Sequence, residues 1–278
     1  MSAQATDLSF EFFPPRSGDA STSFEKTLVD LRELSPNFCS VTYGAGGSTR
    51  EGTFQTVTKL QSTGVVTAAH LSMGNESEAS IGELLGDYTS AGVQRIVALR
   101  GDTTSGSGRG APKYAEELVR FIRAHSGDKF HVSVAAYPET HPDAASPEAD
   151  LDFFKRKVDA GADSAITQYF YNASAYYDFV DRAHSQGVDI PIIPGIMPIT
   201  NYSSLARFSN KAGADIPRWL DRRLQALEKD SAGLQEFGLQ VVSRLCEELL
   251  ANGAPGLHFY TLNRAKATKT IIKNLALR

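Results

Sequence analysis

The sequence predicts a β/α barrel: one domain in which eight parallel strands each lead into a helix. Short β-rich runs alternate with helical patterns from one end of the chain to the other. Eight such runs can be counted, and their spacing is even. At 278 residues the chain exceeds one average domain, yet barrels often reach about 250 residues as a single unit. A doubly wound sheet is the alternative. It usually has fewer strands, and the even spacing offers no point at which strand order would reverse.

The strands are expected at 8–13, 38–42, 65–71, 95–99, 131–137, 164–168, 190–195 and 256–260. Helical patterns fall at 23–34, 49–63, 76–91, 113–126, 148–160, 173–186, 203–212, 233–252 and 264–275. Ser90-Ala91-Gly92-Val93 and Asp159-Ala160-Gly161-Ala162 read as glycine-terminated helices running into strands. The stretch 215–233 is longer than a typical connection and reads as an extra helix plus a loop, not as a second domain.

Composition narrows the function classes. A net charge of −4 gives no global basic field to draw the chain to nucleic acid or anionic lipid. No apolar run approaches the roughly 18 residues of a membrane span. Residues 1–7 are polar and lack a basic-then-apolar leader, so the cytoplasm is the expected location. Cys39 and Cys246 are too few for a disulfide framework or a zinc knuckle and read as packing thiols. The six histidines show no metal-ligand spacing, and no metal is expected. No serine or cysteine sits in a nucleophile elbow.

In such a barrel the chemistry gathers at the carboxyl ends of the strands. Those ends carry, in order, Glu11, Thr42-Tyr43, His70, Arg100-Gly101-Asp102, Tyr137 with His141 beyond it, Gln168, Pro194-Gly195, and Tyr260 with Asn263 and Arg264. Glu11 is the sharpest of them. Alternation puts Ser9, Glu11 and Phe13 on one face and Phe10 and Phe12 on the other. If the phenylalanines face the helices, Glu11 points into the barrel mouth. Carboxyls in partly apolar pockets keep their protons to higher pH, which suits a general acid. A buried ion pair with Arg16 or Arg100 explains Glu11 equally well.

The run Gly44-Ala45-Gly46-Gly47-Ser48-Thr49 reads as a tight turn with a helix cap, or as a phosphate loop. A dinucleotide fingerprint wants an acidic residue at the end of the next strand, and here that strand ends at His70. Arg100 and Asp102 read as a local salt bridge, or as an anion clamp beside an acceptor for a ring N–H. Lys155-Arg156-Lys157 reads as a solvated helix face, or as a cationic flank for a pyrophosphate. The glycine- and serine-rich loop 103–111 reads as a mobile loop.

The ordered strand-end segments resemble the methylenetetrahydrofolate reductase family. Phe10-Glu11-Phe12-Phe13-Pro14-Pro15-Arg16 is similar to its opening signature, and Val41-Thr42-Tyr43-Gly44-Ala45 and Ala98-Leu99-Arg100-Gly101-Asp102 to later loops. So are the segments 135–142, 155–162, 166–168, 193–198 and 258–264. The resemblance implies a β/α barrel with non-covalent FAD that reduces 5,10-methylenetetrahydrofolate to 5-methyltetrahydrofolate. NADH or NADPH would be the electron donor, with the two substrates using one site in turn. It implies that Glu11 is the general acid for opening the folate ring to an iminium, and that Asp102 tunes the flavin. It points to FAD contacts at Thr42, Tyr43, Ala45, His70, Arg100, Gly101, Asp102, Tyr114, Ala115, Tyr137, His141, Ala144, Asp150, Arg156 and Lys157. For folate it points to Gln168, Phe208, Tyr260 and Arg264, with Thr42 and Gln168 also serving the nicotinamide nucleotide. Family members commonly self-associate, so a homo-oligomer is expected. Ser204 departs from the family pattern, which can carry a glutamine there. The contrasting reading is a barrel that binds folate or flavin without redox turnover, in methyl transfer or sensing. A positioned acid favours the enzyme.

Overall fold

The strands pair side by side, all in parallel, in a computed structural model that describes residues 6–15, 18–43, 49–72, 76–100 and 114–277. They are β1 (Asp7–Phe12), β2 (Phe38–Val41), β3 (Thr67–Ser72), β4 (Arg95–Leu99), β5 (His131–Ala136), β6 (Ser164–Thr167), β7 (Ile192–Ile193), β8 (Gly195–Ile196) and β9 (Gly256–Tyr260). The helices are α1 (Gly18–Arg32), α2 (Arg50–Ser62), α3 (Glu78–Ser90), α4 (Ala115–Ser126), α5 (Pro147–Asp159), α6 (Ala173–Ser185), α7 (Tyr202–Ala212), α8 (Arg218–Ala226), α9 (Ser231–Ala251) and α10 (Ala265–Asn274). The sheet order is β7-β6-β5-β4-β3-β2-β1-β9-β8.

The seventh expected strand is split, and the split closes the barrel. Proline has no N–H to give a ladder, and Pro194 separates β7 from β8. Ile192 and Ile193 pair with β6, while Gly195 and Ile196 pair with β9. One chain segment thus joins the two ends of the sheet. The Pro194 carbonyl still accepts the His258 N–H at 3.0 Å. Gly195 is required by close approach: a Cβ there would lie 2.1 Å from the Thr167 carbonyl oxygen and 2.6 Å from the Tyr260 ring.

The faces of β1 follow the expected alternation. Phe10 and Phe12 are fully buried in the outer core. Phe12 meets Phe24 of α1 edge-on at 5.5 Å, and Phe10 lies 6.2 Å from Phe259. Ser9 and Glu11 therefore face the barrel interior. Phe38, Ala68, Val97 and Ile166 form a second, small apolar cluster. The Arg95 guanidinium lies 4.5 Å from the Phe38 ring centroid, and the His258 ring stacks on Phe38 at 5.8 Å. The interior is packed rather than open, as barrel interiors are.

The helices fall close to their expected positions, although α1 begins earlier, at Gly18. The long connection carries α8, as read from the sequence. Gly92 and Gly161 follow their helices with φ of +77° and +111°, the left-handed region that lacks a Cβ penalty only for glycine. Both cysteines are buried, and burial pushes the Cys39 thiol up to about 12. Among the described residues no helix is long and apolar enough to cross a membrane.

Candidate active site

The parallel register of β1 and β9 sets Ser9 opposite His258 and Glu11 opposite Tyr260. Two polar rungs thus lie one above the other inside the barrel. In the lower rung Ser9 Oγ and His258 Nδ1 are 2.7 Å apart. That bond fixes the imidazole and leaves Nε2 directed at the upper rung, 3.9 Å from Glu11 Oε2. From β3, His70 Nε2 lies 3.5 Å from the same oxygen. The Glu11 side chain is 12% exposed, so it reaches the mouth while its surroundings are dry.

The two histidines matter for what Glu11 can do. Burial pulls His70 down to about 4, against the opposing pull of Glu11, so the ring is neutral at neutral pH. His70 Nε2 and His258 Nε2 are both buried without a hydrogen-bond partner. Ser40 Oγ and Thr42 Oγ1, on neighbouring β2 and just beyond it, are likewise buried and unbonded. Buried polar atoms are normally paired. Such a cluster at strand ends is what a ligand-completed site looks like.

The carboxylate is anchored from its own backbone. Thr261 Oγ1 donates to the Glu11 carbonyl at 2.6 Å. Asn263 brackets Phe13, accepting from its N–H and donating to its carbonyl, each at 2.9 Å. Leu262 and Asn263 sit at positive φ, so the turn after β9 is shaped for this bracket. Tyr260 donates its hydroxyl to the Thr167 carbonyl at 2.7 Å, and burial raises its phenol well above the ordinary range. It is therefore a neutral wall of the site and not a titrating group.

A second cluster lies at the end of β5. The Tyr137 and His141 rings meet edge-on at 4.6 Å. The His141 N–H donates to Asp150 Oδ2 at 2.9 Å, and the Ala144 N–H donates to the His141 carbonyl at 2.9 Å. Arg100 pairs with Asp143 at 2.7 Å, not with Glu11. Lys157 is half-buried and donates to the Ala135 carbonyl at 2.5 Å. Burial pulls its ammonium down to about 8, with the Asp150 charge opposing. The solvated-face reading of the basic triplet thus fails for Lys157 and holds for Lys155, which pairs with Asp159. Arg156 lies over the Phe153 ring at 5.0 Å, and Tyr114, beside Ala115 at the start of α4, stacks on the same ring at 5.5 Å.

The other expected residues that are described lie just beyond β2 and β6, on α7 and before α10. Tyr43 is tied to Glu76, which Arg50 also holds at 3.0 Å. The Gln168 N–H donates to Ala136, and its side-chain oxygen accepts from the Tyr169 N–H at 3.1 Å. Phe208 is half-buried on α7 beneath Arg207, while Ser204 serves the N-cap turn of that helix. Arg264 is exposed at the start of α10. Arg16, Ala45, Gly101, Asp102 and the loop 103–111 lie outside the described residues. Sequence reasoning did not single out His258 or its bond to Ser9; the strand register was the missing signal. Among the described residues no three His, Cys, Asp or Glu side chains gather to hold a metal ion.

Comparison with known proteins agrees with this picture. The methylenetetrahydrofolate reductase family model matches residues 1–276. A 5,10-methylenetetrahydrofolate reductase of Pectobacterium carotovorum subsp. carotovorum is 38% identical over 273 residues, covering 98% of this chain and 91% of that protein. Methylenetetrahydrofolate reductase (NADH) 1 of Arabidopsis thaliana is 37% identical, covering 98% of this chain and 48% of its own length. Among solved structures, a Clostridium thermocellum protein that binds two copies of 5-methyl-5,6,7,8-tetrahydrofolic acid shares the fold, with a TM-score of 0.69 at 17% identity. The match covers 98% of this chain and 94% of that one.

Proposed function

The chain belongs to the methylenetetrahydrofolate reductase family, and we propose that it reduces 5,10-methylenetetrahydrofolate to 5-methyltetrahydrofolate with non-covalent FAD and with NADH or NADPH as donor. The observation that carries this reading is Glu11, held in the barrel mouth between two imidazoles and backed by Ser9. The residues present suit FAD. Thr42 Oγ1 and His70 Nε2 are buried strand-end atoms with no hydrogen-bond partner, and Arg100 just beyond β4 and Arg156 and Lys157 on α5 would supply the cations. Ala45, Gly101 and Asp102 join this set by resemblance. When bound, FAD supplies two-electron transfer between the nicotinamide and the folate.

The protein's own groups do the rest. Glu11 holds the proton needed by the folate nitrogen that leaves as the imidazolidine ring opens. His258, fixed by Ser9, and neutral His70 flank that carboxyl. Gln168 bonds the pterin amide edge and Phe208 stacks on a ring. Tyr260 and Arg264 complete the folate side, and Asp102 adjusts the flavin electronics. A cytoplasmic homo-oligomer is part of this reading. The contrasting role, a folate or flavin binder without turnover, leaves a placed acid without a task. Purified protein should be yellow, bleach with NADH in the absence of oxygen, and regain colour with methylenetetrahydrofolate. Colourless protein that takes up no FAD overturns the proposal.

A further inference from the structure

Glu139 lies in the turn at the start of the β5–α5 loop. Its Oε2 accepts the N–H of Asp215, in the loop just beyond α7, at 2.8 Å. Two further contacts hold α7, one from Tyr169 just beyond β6 and one from Pro142 in the β5–α5 loop. Tyr169 and Ser209 hydroxyls are 3.0 Å apart. Pro142 packs so closely on Gly213 that a Cβ there would lie 2.3 Å from the proline Cγ. Gly213 ends α7 in the left-handed region with φ of +69°, and Thr140 takes φ of +71° to bring the loop across. The loop therefore carries Tyr137 and His141 on one side and grips the helix of Phe208 on the other.

We infer that Glu139 is a positioning residue that locks α7 to the β5–α5 loop and so sets the Phe208 ring for folate. This rests on the reading above of Phe208 as the stacking residue. A carboxyl is a costly choice for a purely structural tie, since burying it unpaired is unfavourable. Burial pushes Glu139 up to about 7, with the Asp215 N–H opposing and the Asp215 carboxylate adding to the rise. The tie is strongest for the charged form, because a charged acceptor makes the stronger hydrogen bond.

The test uses the FAD-loaded enzyme and reads the two half-reactions separately. Glu139→Ala should raise the KM for methylenetetrahydrofolate by about fivefold to tenfold, the scale of one ordinary net hydrogen bond, with flavin reduction by NADH within about twofold of wild type. Glu139→Gln keeps an acceptor and should recover most of that loss. Gly213→Ala, which strains the same junction from the other side, should show the same split. Equal loss in both half-reactions, or a folate KM unchanged in Glu139→Ala, overturns the inference. Wild-type protein that holds no flavin would instead overturn the functional reading on which it rests.

Discussion

His70 Nε2 lies 3.5 Å from Glu11 Oε2, and the imidazole that makes this contact is neutral. The distinction decides what the pair is for. A protonated histidine beside a carboxylate would be an ion pair and would hold the acid in its charged form. A neutral ring leaves the carboxyl free to take and give a proton. His258 Nε2 approaches the same oxygen from β9 at 3.9 Å.

The neutrality of His70 gives stability a pH dependence of definite sign. In the unfolded chain the ring takes a proton near 6.5, and in the folded protein only near 4. Between those values the unfolded chain binds more protons, so stability is full above that window and falls as pH drops through it, by at most about 1.4 kcal/mol per pH unit. Urea unfolding at pH 7 and pH 5 should show this fall, and His70→Gln should reduce it. Stability that rises on acidification would contradict a buried neutral ring.

Ser9→Ala removes the 2.7 Å partner of His258 Nδ1 and leaves that nitrogen buried and unpaired. The expected cost is about 1–3 kcal/mol of folding stability, read from denaturant midpoints. The folate half-reaction should slow while flavin reduction by NADH holds. A variant as stable and as fast as wild type would show that the bond positions nothing.

Gly195→Ala tests the closure of the barrel. The added methyl meets the Thr167 carbonyl at 2.1 Å and the Tyr260 ring at 2.6 Å. Overpacking of this kind costs about 1–3 kcal/mol, and here backbone must move as well. Thermal unfolding should show a clear loss, and folate binding should weaken because Tyr260 is displaced. An unchanged Tm would mean that β8 and β9 are not joined as described.

The barrel was legible in the sequence because its signals are local. Phe10 and Phe12 against Ser9 and Glu11 announce the two faces of β1 within four residues. The site was legible only in part, because its bonds are not local. Ser9 and His258 stand 249 residues apart and meet through strand register alone. Pro194 is visible in the sequence, yet its role in joining β7 and β8 to different neighbours depends on closure. Arg100 was a reasonable partner for Glu11 by position, but the loop after β5 brings Asp143 to it instead. Lys157 read with its basic neighbours, but helical side chains lean toward the N-terminus, and its long stem reaches the Ala135 carbonyl. Glu139 carried no sequence signal apart from its segment, because its partner is a backbone N–H on a distant loop.

In the proposed reaction Glu11 serves the folate step and not the folding of the barrel. Anaerobic stopped-flow of the FAD-loaded Glu11→Gln variant separates these. Flavin reduction by NADH should stay within about twofold of wild type, and reoxidation by methylenetetrahydrofolate should fall by about a hundredfold or more, the scale of a lost general acid. Equal loss of both half-reactions would contradict the account and make Glu11 a structural residue.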